Sequence, residues 1–145
     1  MRIVSTILIS LVLTACCTQK DCLNVFDLNA IKLINFNSID TDSILIRSYT
    51  KGSNFSSRID SQYTSANDIS IDNEGLTLYV PIPFTHENDY TLFFTKTEDY
   101  YEITNIKTDS ETCNSCFLSS DDYMVLSSYD LNGITQTSSY FELIK

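Results

Sequence analysis

Asn132-Gly133 lies between two stretches rich in β-branched and aromatic residues, Tyr123–Leu131 and Ile134–Ile144. Asn-Gly is the strongest short signal for a two-residue hairpin, because both residues tolerate the positive φ that such a turn requires. The same grammar runs through the chain. Leu28 to Phe36, Ser43 to Tyr49, Leu76 to Val80, Tyr90 to Thr95 and Tyr100 to Lys107 are short β-prone runs separated by Asn, Asp, Ser or Pro. In the second run Ile44 and Ile46 alternate with Leu45 and Arg47, the period of a pleated strand. Pro81 and Pro83 close the Leu76–Val80 run, because proline donates nothing to a ladder. No segment keeps apolar residues at i, i+3 and i+4 through three helical turns. The polar stretch from Lys51 to Glu74 is expected to be loop, with one short helix around Phe55 to Gln62.

About seven strands with frequent turns predict an all-β fold, an antiparallel two-sheet β-sandwich of immunoglobulin-like or transthyretin-like shape. A small barrel is the alternative. The 145 residues suffice for one domain, and 43% hydrophobic content with 8 Phe and 9 Tyr can fill a core. The formal charge of −10 opposes binding to phosphate backbones, so no nucleic-acid partner is expected.

The first residues read as an address. Met1 and Arg2 precede an apolar run from Ile3 to Leu13, which would span only about 16 Å as a helix, too short for a ~30 Å hydrocarbon core. A positive start, a short apolar helix and a small-residue boundary are the parts of an export signal. The boundary Leu13-Thr14-Ala15-Cys16 resembles the bacterial lipobox. That resemblance implies cleavage before Cys16 and acylation of Cys16 with diacylglyceryl and palmitate-type chains. Acyl chains contribute about 0.8 kcal/mol per buried methylene, so two or three hold a protein almost permanently. Gln19-Lys20-Asp21 loosely resembles the export tag of Bacteroidota surface lipoproteins, and Asp42-Ser43-Ile44 resembles their O-glycosylation sites. The whole pattern is similar to the small lipoproteins of Bacteroidota. The implied organisation is a signal peptide over 1–15, a lipidated tether over 16–27 and a β-sandwich over 28–145. The implied location is the outer membrane, lipid-anchored and facing the periplasm or the cell surface.

Four cysteines remain as disulfide candidates: Cys17, Cys22, Cys113 and Cys116. An exported chain meets an oxidising compartment, which favours disulfides over a four-cysteine zinc site. Cys22 is expected to pair with Cys113 or Cys116, in a connection between two later strands. That bond closes a loop of about 90 residues, worth roughly 4–5 kcal/mol in the chain-entropy model. Cys17, beside the anchor, stays free or pairs late, with the remaining one of Cys113 and Cys116 as its candidate partner.

Chemistry is sparse. His86, in the polar turn Phe84–Asp89, is the only histidine, and the three glycines are too scattered for a phosphate loop. The acidic pairs Asp40/Asp42, Asp72/Glu74, Glu98/Asp99 and Asp121/Asp122 read as turn residues, with Asp40, Asp42 and Ser43 the best partial calcium set. No catalytic residue, metal site or cofactor is assigned. Tyrosines are expected mainly inward with hydroxyls at the rim, while an exposed aromatic row would stack sugars or a protein partner. The expected function is a membrane-anchored, non-enzymatic β-sandwich with an accessory, adhesion or binding role and a protein or glycan partner. Two alternatives stay open: a periplasmic thiol oxidoreductase using Cys113-Asn114-Ser115-Cys116, or a calcium or ligand binder.

Overall fold

A computed structural model describes residues 22, 29–72, 75–116 and 119–145. These residues form ten strands: β1 (Ala30–Ile34), β2 (Ser43–Thr50), β3 (Arg58–Ser65), β4 (Ile69–Asp72), β5 (Gly75–Tyr79), β6 (Asn88–Phe94), β7 (Asp99–Cys116), β8 (Ser119–Leu131), β9 (Ile134–Gln136) and β10 (Phe141–Ile144). A four-stranded sheet has the order β10-β1-β5-β4, and a six-stranded sheet has the order β3-β2-β6-β7-β8-β9. The two pack face to face as a β-sandwich.

Period-two alternation builds the core. Ile44 and Ile46 on β2, Tyr90, Leu92 and Phe94 on β6, and Tyr101 and Ile103 on β7 face inward from the large sheet. Ile31 and Leu33, Leu78, and Phe141 and Leu143 face them from the small one. Each such side chain contributes roughly 1.5–3 kcal/mol on leaving water. Between β5 and β6 the alternation continues without a ladder: Val80, Ile82 and Phe84 are buried while Pro81 and Pro83 are exposed. The buried Tyr90 hydroxyl accepts from the Thr85 N–H (2.8 Å) and donates to the Pro83 carbonyl (3.2 Å), fixing that segment across the end of the core.

Four expectations need correcting. The stretch over 51–74 is not a loop with a helix, since β3 and β4 lie within it. Asn54 and Phe55 have φ of 50° and 59°, a left-handed pair that no right-handed helix continues through. Strand β3 is polar because it lies at the sheet edge, with Thr64 its only buried residue, so its backbone pairing to β2 carries it. The returning segment Ile134–Ile144 is two strands in different sheets, β9 and β10. Between them the Ser138 hydroxyl accepts the Tyr140 N–H (3.3 Å), a local bond that competes with a ladder. Strand β10 then pairs parallel to β1, Ile31 with Phe141 and Leu33 with Leu143, in an otherwise antiparallel fold. Finally, Cys113 and Cys116 lie within β7 rather than in a connection.

Candidate binding face

The residues of the large sheet that do not face the core make up its outer face, and the register sets them in rows. Leu45 on β2 stands opposite Tyr63 on β3 and opposite Phe93 on β6. Phe93 in turn stands opposite Tyr100 on β7. An apolar row, Tyr63–Leu45–Phe93–Tyr100, therefore crosses four adjacent strands. Its ends are open, with Tyr63 68% and Tyr100 45% exposed, while Leu45 is 7% exposed between its neighbours.

Two residues further along each strand the same face becomes polar. Arg47 pairs with Ser61 and Thr91, and Thr91 pairs with Glu102. The Arg47 Nε is buried and has no hydrogen-bond partner among the described residues. Burial raises the Tyr100 hydroxyl above its usual pKa, partly offset by a hydrogen bond from Thr91, and Glu102, Tyr49 and Arg47 also act on it electrostatically. The Tyr100 hydroxyl therefore links the two rows, over Thr91, which is 1% exposed.

Beyond the polar row, Tyr49 meets Phe55 edge-on with ring centroids 5.3 Å apart. There the β2–β3 turn closes over an open cleft of about 350 Å³ lined by Lys51, Gly52, Asn54, Phe55, Asp89 and Asn105 among others. Four of these residues, Gly52, Asn54, Phe55 and Asn105, have φ between 50° and 71°. A positive φ is rare for a ring as large as Phe55, and such backbone tends to gather at binding sites. Asp89 Oδ2 accepts the Gly52 N–H (2.8 Å), and Lys51 Nζ donates to the His86 carbonyl (2.9 Å), so the cleft walls are tied down.

His86 is exposed in the turn before β6. Asp40 is buried, its Oδ1 accepting from Lys145 Nζ (2.6 Å) and its Oδ2 from the Asn37 N–H (2.8 Å). Those bonds lower the Asp40 carboxyl below its ordinary value, the Lys145 bond having the largest effect. Asp42 pairs with Lys96 at 3.4 Å, so both carboxylates of the partial calcium set are engaged in ion pairs. Asp122 accepts from the Thr112 hydroxyl across the β7–β8 hairpin (3.1 Å). Asn73 and Glu74 lie outside the described residues. Among the described residues, no three His, Cys, Asp or Glu side chains gather as a metal site.

Inward tyrosines carry hydroxyls to the rim: besides Tyr90, Tyr101 donates to the Ile144 carbonyl (3.4 Å) and Tyr129 bonds the Glu142 backbone. Cys22 is disulfide-bonded to Cys113, Cα atoms 5.9 Å apart across 91 positions of sequence. Cys113 is thus joined to the start of the chain, within a strand and not at a helix N-terminus, where a redox thiol would gain from the dipole. Cys116 is the last residue of β7, while Cys16 and Cys17 lie outside the described residues.

Sequence reasoning named the tyrosines but missed the row, because strand pairing alone brings Tyr63, Phe93 and Tyr100 into line. It also missed Arg47 and the cleft. The available signal was the alternation of Leu45 and Arg47, which already put them on the face opposite Ile44 and Ile46. No family model matches the chain, and comparisons with curated proteins and with solved structures give no match either.

Proposed function

We propose that the protein is an exported lipoprotein, anchored through acylated Cys16 at the outer membrane. Its β-sandwich serves there as a non-enzymatic binding module in an adhesion or accessory role. The observation that carries this reading is the Cys22–Cys113 bond. Structural disulfides persist in oxidising compartments outside the cytosol. This one fastens the sandwich to the chain six residues beyond Cys16, where a lipid tether would enter the domain. The Leu13–Cys16 lipobox supplies the anchor in the same reading, and the signal over 1–15 supplies the route.

Binding is favoured as the role because the outer face offers the exposed rings of Tyr63 and Tyr100 and a cleft beside them on one surface. The partner is a glycan or a protein on the periplasmic or the outer side of the membrane. Fractionation of cells expressing the full chain tests the anchor. Wild type should be in the membrane fraction, and Cys16→Ser should give unacylated precursor. Acylation that persists in Cys16→Ser, or a soluble unacylated wild type, contradicts the reading.

A further inference from the structure

We propose that the outer face of the six-stranded sheet binds a neutral, extended oligosaccharide, with Tyr63, Phe93 and Tyr100 stacking on sugar rings and Arg47 and Glu102 bonding their hydroxyls. The proposal rests on the binding-module reading and names its ligand class.

Shape comes first. Tyr63 on β3 and Tyr100 on β7 are separated by three strand spacings, roughly 14 Å at about 4.8 Å each. A row of that length, open at Tyr63 and Tyr100 with Leu45 buried and Phe93 half-buried between them, exceeds one sugar ring and places its two exposed rings under separate sugars of an extended chain. Aromatic faces carry partial negative charge, and the C–H hydrogens on the face of a pyranose carry the complementary partial positive charge.

The polar row then selects among ligands. It lies two residues along from the apolar row, roughly 6.6 Å away, and so flanks any ring stacked there. Arg47 only donates and ionised Glu102 only accepts, and they stand two strands apart on either side of Thr91. A hydroxyl donates and accepts, so a polyhydroxylated chain can satisfy both. A carboxylated or phosphorylated ligand could pair with Arg47 but would meet Glu102 and a chain of net charge −10. A largely apolar protein partner would bury Arg47 and Glu102 without satisfying them, which is costly. The Arg47 side chain is half-buried with its Nε enclosed and unpartnered, so the donors it can present to such a ligand are its terminal guanidinium nitrogens.

The chain has no tryptophan, so its emission comes from nine tyrosines, and the Tyr63 and Tyr100 variants assign any ligand-induced change to this face. The full-length protein in a sugar-free detergent should be titrated with cellohexaose, mannohexaose, chitohexaose and hexagalacturonic acid. At least one neutral hexasaccharide should change the emission saturably and bind at least tenfold more tightly than hexagalacturonic acid. Tyr63→Ala and Tyr100→Ala, both at exposed positions, should each weaken that binding at least tenfold, and Tyr63→Phe should retain it. Tyr79→Ala, an exposed tyrosine on β5 of the other sheet, should leave it unchanged. Three results overturn the proposal: no saturable response to any neutral sugar, preference for the acidic one, or binding indifferent to Tyr63 and Tyr100. Fractionation of the same preparation separates the two ideas. Failure of the sugars with wild type still acylated at Cys16 removes the ligand class alone, whereas unacylated wild type removes the anchored reading itself.

Discussion

The hydroxyl of Tyr129 on β8 accepts the Glu142 N–H (2.8 Å) and donates to the Glu142 carbonyl (3.2 Å) on β10, joining the large sheet to the edge of the small one. The N–H and C=O of one strand residue point to the same side, here away from β1. Without Tyr129 both would be left facing the core rim. The ring also packs on Phe141, centroids 5.0 Å apart. Tyr129→Phe keeps the ring and strips both bonds. It should cost about 1–3 kcal/mol, seen as a lower urea midpoint with an unchanged slope. An unchanged midpoint would mean that the bridge contributes nothing.

The same hydroxyl makes a prediction in alkali. Burial is the main cause that raises Tyr129, Tyr101 and Tyr100 above their ordinary value of 10.0. Above that pH the unfolded chain has lost protons that the folded one retains, so stability falls as pH rises. The midpoint of urea unfolding should be insensitive to these groups below about pH 9 and decline above about pH 10. Tyr129→Phe should make the decline shallower, and an equal or steeper decline would contradict this.

Acid acts through a different pair. Asp40 is held below its ordinary value of 3.8 by Lys145 first and the Asn37 N–H second. A lowered carboxyl contributes stability that is complete above its unfolded value and is lost as pH falls through its folded one. Stability should therefore fall below about pH 4, with Asp60 and Asp130, also lowered, adding to the slope. Lys145→Met removes the largest of the Asp40 effects and should flatten part of it. Urea midpoints measured from pH 5 down to pH 2 on both proteins check the sign.

The Cys22–Cys113 bond closes a loop across 91 positions, for which chain entropy gives roughly 4–5 kcal/mol before any offset. Cys22→Ser and Cys113→Ser should each lose most of that. The double variant should lose no more than either single one, because both changes break one bond. Losses that add would mean the two cysteines act separately.

Local features were the legible ones. Asn132 and Gly133 take φ of 50° and 78°, the turn that their residue types announce. The burial of Ile44 and Ile46 follows from alternation alone. What escaped was long-range or edge-bound. Strand β3 carries almost no apolar signal because an edge needs only backbone pairing. The parallel partner of β1 lies 110 positions away by the Ile31–Phe141 pairing, and no local pattern encodes that. The outer-face row is of the same kind: Tyr63, Leu45, Phe93 and Tyr100 are ordinary strand residues until register sets them side by side.

Non-reducing intact-mass analysis and peptide mapping of the full-length protein, purified from the membrane fraction, test the central claim of an anchored and disulfide-fastened module most directly. The predicted result is a mature chain that begins at acylated Cys16, with the Cys22 peptide joined to the Cys113 peptide. An unacylated chain that retains residues 1–15, or a Cys113 peptide joined to Cys116 with Cys22 reduced, would contradict the account.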